Sequence, residues 1–105
     1  MPKTVTKTRV KTKTLPYDVA DQLRTPEEMA AYLDAWLSEA PEDVAGIARA
    51  LGDIARAKGM SKVARDTGLS RESLYKALSE DGNPSLATVL KVAKALGLRL
   101  HAIAA

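Results

Sequence analysis

Apolar residues recur every three or four positions along most of the chain after residue 24, a spacing that predicts a series of amphipathic helices. The first predicted helix begins after a Thr25 N-cap with Pro26 and runs to about Glu39. A second follows Pro41 and ends at Gly59. The residues predicted to form the apolar faces of these two helices are Met29, Tyr32, Leu33, Trp36, Leu37, Val44, Ile47, Ala48, Leu51, Ile54 and Ala55.

The stretch Met60–Ser79 has the spacing of two helices that cross at a tight turn. Ala64 is small where the second helix must approach, and Gly68 falls at the turn, where a positive φ costs glycine nothing. Ser70 is a natural N-cap for the second helix. The apolar inner face is supplied by Leu69, Leu74 and Leu78. We interpret this stretch as a DNA-binding helix-turn-helix; the alternative is a close-packed helical hairpin that never touches nucleic acid.

The end of the chain predicts one more helix and a short strand. Ser85 caps a helix that keeps the helical period to Gly97, with an apolar face formed by Leu86, Val89, Leu90, Ala93 and Leu96. The tail that follows alternates apolar and polar residues, although no other segment predicts a strand to pair with it. We therefore expect the tail to pair with a second copy of the chain across a two-fold axis, and the alternative is a frayed tail. The residues assigned to this dimerisation are Leu98, Leu100 and Ala102.

Charge divides the chain into three blocks that its net charge of +3 conceals. Residues 1–16 carry five basic residues and no acidic one, residues 17–55 have a net charge of −7, and residues 56–105 have a net charge of +5. The basic block with the predicted helix-turn-helix is therefore suited to binding the phosphates of nucleic acid, and the acidic block is suited to binding a basic protein. The predicted organisation is a disordered basic arm (1–14) and one helical domain (15–105), divided into a docking segment with the first helix (15–41), the helix-turn-helix core (42–97) and the dimerisation tail (98–105).

The sequence lacks the residues that several classes of function require. There is no cysteine and a single histidine, His101, so we predict no disulfide, no metal site and no cofactor. No nucleophile motif or glycine-rich phosphate loop is present, which argues against an enzyme. No apolar run reaches 18 residues and no secretory signal opens the chain, so we expect a cytoplasmic protein without a membrane span.

The outward residues of the second motif helix are the candidates for reading DNA bases. Arg71 can bond guanine O6 and N7 together, and Glu72 can accept from cytosine N4 or instead pair with Lys76 four residues on. Tyr75 can reach a phosphate or a thymine methyl group, or else cover the edge of the core. The complete base-reading set is Arg71, Glu72, Tyr75 and Lys76, and the predicted phosphate contacts are Ser61, Lys62, Ser70 and Ser73.

Residues 15–105 resemble the probable addiction-module antidote family, HigA-like antitoxins of the Xre helix-turn-helix class. The resemblance rests on PYDVADQL, on AAYLDAWL, and on the long stretch from ALGDIARAKGM to LKVAKALGL, with Gly68 to Pro84 its most family-specific part. It implies an all-α, lambda-repressor-like domain with an added N-terminal helix. It also implies a DNA-binding dimer that represses its own promoter and a partner toxin similar to RelE or ParE proteins. The basic arm has no counterpart in the family pattern.

Two other functions remain open at this point. A free-standing Xre-type repressor would bind DNA in the same way but would need no toxin. A pure interaction module would keep the helix-turn-helix without binding DNA.

Overall fold

In the computed structural model, the protein is described at residues 18–79 and 81–105, and these residues form five α-helices around one core. The helices are α1 (Pro26–Glu39), α2 (Val44–Lys58), α3 (Met60–Thr67), α4 (Arg71–Ala77) and α5 (Leu86–Ala95), preceded by a single 3-10 turn at Val19–Gln22. The described residues contain no strand, so the prediction of an all-α fold is confirmed. The predicted basic arm (1–14) and the first residues of the docking segment (15–17) lie outside the described residues.

Side-chain caps fix where four of the helices begin, and Asp43 caps α2 by accepting the Gly46 N–H at 2.9 Å. Thr25 Oγ1 accepts the backbone N–H of Glu28 at 3.1 Å, and Glu28 accepts the Thr25 N–H in return at 3.0 Å, which completes a capping box. Ser70 and Ser85 cap α4 and α5 in the simpler way, each accepting an N–H three residues later. These starts agree with the positions that the sequence predicts.

The core lies where α2 meets the other helices, and α2 contacts α1, α3, α4 and the 3-10 turn. Leu51 and Ile54 of α2 are fully enclosed, together with Leu74 of α4 and Leu96 at the end of α5. Leu23, just before α1, is also buried in this core. Helix α5 reaches the core mainly through its packing against α3.

Four residues predicted on apolar faces are exposed instead. Leu37 is 39% exposed, Val44 is 54% exposed, Leu86 is 70% exposed and Leu90 is 49% exposed. Leu37 lies in the last turn of α1, and Val44 and Leu86 are the first residues of their helices, at ends that the rest of the described chain does not cover. In α5 the buried residues Val92, Ala93 and Leu96 lie towards the C-terminal end of the helix, and the core does not cover Leu86 and Leu90 nearer its start.

The tail at 98–105 has neither helix nor strand in the single chain. Leu98 packs against the chain's own core, and its N–H donates to the Ala93 carbonyl at 2.9 Å. Leu100 and Ala102 are exposed. Because the predicted strand was to pair with a second copy, its formation stays a prediction.

Candidate DNA interface

Helices α3 and α4 span the stretch that was predicted as a helix-turn-helix, and Gly68 makes the turn between them. Gly68 has φ +79°, a left-handed conformation that residues with a side chain rarely adopt, and its N–H donates to the Ala64 carbonyl to end α3. Ala64 is only 8% exposed and belongs to the buried core. Gly68 therefore has the structural role that the sequence assigned to it.

Helix α4 is held on the core by its two buried leucines. Leu74 is fully buried and Leu78, which caps the helix, is 4% exposed. Gly52 of α2 lies directly under this end of α4, because a Cβ added at Gly52 would stand 2.6 Å from the Leu78 carbonyl oxygen. The close approach fixes the orientation of α4, and with it the direction in which its outer face points.

All eight residues predicted to contact DNA are exposed. Arg71 opens α4, and its Nη2 donates to the Tyr75 hydroxyl at 3.4 Å while its guanidinium carbon lies 5.7 Å from the centroid of the Tyr75 ring. This contact with the ring favours one position of the guanidinium on the exposed face. This pair was not predicted from the sequence, although the spacing of four residues in one helix was a signal for it.

Glu72 and Lys76 do not form the intrahelical ion pair that was the alternative account of both residues. The ion pairs between described residues do not include them, and both side chains are exposed. Glu72 and Lys76 therefore stay available on the outer face of α4, as a base-reading role requires.

The predicted phosphate contacts are not equally available. Lys62 Nζ lies 3.1 Å from Asp66 Oδ2 in an ion pair within α3. Ser70 Oγ accepts the N–H of Ser73 and donates to Ser73 Oγ at 2.9 Å, so its proton is already used. Ser73 keeps its own hydroxyl proton, and Ser61 is exposed in the first turn of α3. We infer that Ser61 and Ser73 are the freer hydroxyl donors.

An open groove of about 500 Å³ runs between the 3-10 turn and the start of α4. Its lining includes Arg71, Tyr75 and Ser61 together with the acidic residues Asp18 and Asp21. The structure thus brings two predicted base-reading residues and one predicted phosphate contact together, whereas the other five predicted DNA contacts lie outside this groove: Glu72, Lys76, Lys62, Ser70 and Ser73. The acidic part of the lining was not anticipated, because these residues lie 50 positions or more from Arg71 in the sequence.

A polar network joins Asp18, the N-cap of the 3-10 turn, and Tyr32 of α1 to helix α2. Arg56 contacts Asp18 Oδ1 at 2.7 Å and Asp53 Oδ1 at 3.0 Å, and the Tyr32 hydroxyl donates to Asp53 Oδ2 at 2.7 Å. Only the spacing of Asp53 and Arg56 gave a local signal in the sequence. Arg56 is therefore committed to carboxylates and adds little to the positive face.

The pKa shifts in this network follow from burial and from the contacts. Burial raises the pKa of Asp53, and the Tyr32 hydrogen bond and the Arg56 guanidinium oppose that shift. Burial and the neighbouring Asp53 carboxylate raise the pKa of Tyr32. For Asp18, burial favours a higher pKa, but the Ala20 N–H and Arg56 outweigh it and lower the pKa.

Comparison with known proteins decides the family. The model of a family described as "Probable addiction module antidote protein" matches residues 13–104. The chain belongs to this antidote family. It is also 55% identical, over 85 residues, to an uncharacterized protein of Haemophilus influenzae, an alignment that covers 81% of this chain and 86% of the relative. No solved structure matches the chain significantly.

Membership of the antidote family supports an antitoxin role and implies a toxin partner in general. Proteins of the antidote family are generally non-enzymatic. In the described part of the chain, no helix is long and apolar enough to cross a membrane, and no group of three or more residues is arranged to hold a metal ion.

Proposed function

We propose that this antidote-family chain is a HigA-like antitoxin of a type II toxin-antitoxin system that acts in the cytoplasm. It binds operator DNA as a homodimer, represses its own promoter, and neutralises a RelE- or ParE-like toxin by direct binding. The observation that carries the proposal is the exposed outer face of α4, with Arg71 and Tyr75 in contact, on a chain of the antidote family.

In the proposed complex, α4 lies in the major groove of DNA. Arg71 at its start bonds the O6 and N7 atoms of a guanine, and Tyr75 and Lys76 follow one turn later. Glu72 accepts a hydrogen bond from cytosine N4. Ser61, Lys62, Ser70 and Ser73 contact phosphates and fix the register of the protein, with Ser61 and Ser73 donating most readily.

The dimer places two such helices on two half-sites about one helical turn of DNA apart. The exposed tail residues Leu100 and Ala102 supply its contact, and Leu98 anchors the tail to the core of its own chain. The contact of Leu98 with the core fixes where the tail begins, although the tail forms no strand pairing within its own chain.

Two assays in cells test the proposal together. A reporter under the promoter upstream of this gene should be repressed by the chain, and Arg71→Ala should relieve that repression. Expression of the protein from the adjacent reading frame should stop growth, and co-expression of this chain should restore it. Repression without any rescue of growth would favour the free-standing Xre-type repressor, and rescue without repression would favour a pure interaction module.

A further inference from the structure

The end of the α1–α2 hairpin carries two exposed apolar side chains. Leu37, in the last turn of α1, is 39% exposed, and Val44, the first residue of α2, is 54% exposed. Both lie within one helical turn of the connection at 40–43. Side chains of this kind at one end of a small protein are typical of a contact surface when they are surrounded by polar groups.

The carboxylates around these two residues are not neutralised within the described chain. Asp34, Glu39 and Glu42 are exposed, and the ion pairs between described residues do not include them. Elsewhere in the acidic block, Asp18 and Asp53 contact Arg56. This end of the hairpin therefore carries three exposed carboxylates that form no ion pair with another described residue.

Basic residues are scarce in this part of the chain. Arg49 is the one basic residue between positions 25 and 55, and its guanidinium carbon lies 5.4 Å from the centroid of the Trp36 ring. An apolar centre with an acidic rim is complementary to a basic surface that carries an apolar contact of its own.

We propose that this end of the hairpin, formed by Leu37 and Val44 with Asp34, Glu39 and Glu42, is the surface that docks the toxin, and that the toxin presents a basic face to it. The inference rests on the proposed function, which supplies the toxin. DNA is repelled by the rim. A second copy is disfavoured as well, because a two-fold interface here would bring Glu39 and Glu42 against themselves.

The apolar part of the surface is tested with the purified protein from the adjacent reading frame as the probe. We expect the double variant Leu37→Lys and Val44→Lys to weaken its binding at least about tenfold, because each lysine must be desolvated in the contact. The matched control is Leu86→Lys with Leu90→Lys. Leu86 is the first residue of α5, as Val44 is the first residue of α2, so a lysine at either position meets the same partial positive charge of a helix N-terminus. The control should nevertheless bind the probe like the wild type.

The charged rim is tested separately by association kinetics. Glu39→Gln with Glu42→Gln should slow association at low salt, and the difference from the wild type should shrink as salt screens the charges. Glu27→Gln is the control, because Glu27 lies at the other end of α1, about 18 Å along the helix from Glu39. An unrelated basic protein, such as lysozyme, should bind far more weakly than the probe.

Three outcomes would overturn the inference. One is probe binding by the double variant of Leu37 and Val44 equal to that of the wild type, while circular dichroism shows both folded. Another is an equal loss in the α5 control. The third is a change from dimer to monomer on sedimentation of the hairpin variant, which would make this face a self-association surface. A wild-type chain that fails to bind the probe would instead contradict the proposed function.

Discussion

The α1–α2 hairpin and the α3–α4 helix-turn-helix are both made of amphipathic helices on one core, yet their outer surfaces have opposite chemistry. At the end of the hairpin, the carboxylates of Asp34, Glu39 and Glu42 surround exposed apolar residues. On α4, Arg71 and Tyr75 form a pair on a face that also carries Glu72 and Lys76. In the proposed function, the first surface contacts a basic protein and the second contacts nucleic acid.

The two regions nevertheless depend on the same buried residues. Helix α2 belongs to the hairpin, and its Gly52 supports the end of α4 at Leu78. A core substitution should therefore damage both surfaces together, whereas a surface substitution should damage one. This contrast separates structural effects from functional ones in the variants below.

The largest effect is expected for Leu74→Ala. Leu74 is fully buried and anchors α4, so its truncation should lower the free energy of unfolding by about 2–5 kcal/mol. Urea denaturation measures the loss, and binding of DNA and of the adjacent-gene protein should both fall. Leu86→Ala is the control, since Leu86 is 70% exposed and should change stability little. Unchanged stability of Leu74→Ala would contradict the packing described for α4.

Arg71→Ala should affect only the DNA-binding surface. Loss of a two-point contact with guanine costs about 1–3 kcal/mol, which weakens operator binding about 5- to 150-fold and relaxes the preference at one base pair. Fluorescence anisotropy with operator and random DNA measures the ratio. Lys62→Ala should weaken both DNAs alike, because it removes a phosphate contact. Equal losses on operator and random DNA for Arg71→Ala would show that Arg71 does not read a base.

Tyr32→Phe should lower stability through the network that joins α1 to α2. The substitution leaves the buried Asp53 carboxylate without its 2.7 Å donor, a loss of about 1–3 kcal/mol near neutral pH. The pKa of Asp53, already raised by burial, should rise further. A raised folded-state pKa favours the protonated form, so the cost of the variant should shrink as the pH falls and Asp53 gains a proton. Urea denaturation at several pH values checks this, and a cost that grows towards acid pH would contradict it.

Asp18→Asn should have the smallest effect. Asp18 and Arg56 are both partly exposed, so their pair should contribute less than about 1 kcal/mol. Because the folded-state pKa of Asp18 lies below its ordinary value of 3.8, this contribution is present above that value and is lost as the pH falls through the lowered pKa. The unfolding curves of variant and wild type should therefore differ slightly at pH 7 and converge in strong acid. A difference that persists in acid would point to packing instead of charge.

Local signals in the sequence account for the helices and for the helix-turn-helix. Three helix starts could be predicted from Thr25, Ser70 and Ser85, because an N-cap hydrogen bond joins residues that are close in the sequence. The turn could be predicted from Gly68, because its backbone conformation is also a local property. Periodicity alone was wrong for Leu37, Val44, Leu86 and Leu90, because it identifies an apolar stripe without telling which part of the stripe another element covers.

Contacts between distant segments could not be predicted from the sequence. Asp18 and Arg56 are 38 residues apart, and Tyr32 and Asp53 are 21 apart, so no spacing rule connects them. The contact of Arg71 with Tyr75 could have been predicted, because residues four apart in a helix are neighbours on its surface. That rule was applied to Glu72 and Lys76 instead. The roles of these residues in binding DNA stay predictions.

In the proposed function, α4 of this antidote-family chain reads a specific DNA site. The first measurement is the affinity of the wild-type chain for labelled DNA from just upstream of its own gene, in the presence of random competitor DNA at about 0.15 M salt. We expect tight binding that survives an excess of competitor and that Arg71→Ala weakens. Binding no tighter than to random DNA would show that α4 does not read a specific site, and the helix-turn-helix would then be a structural element without its usual function.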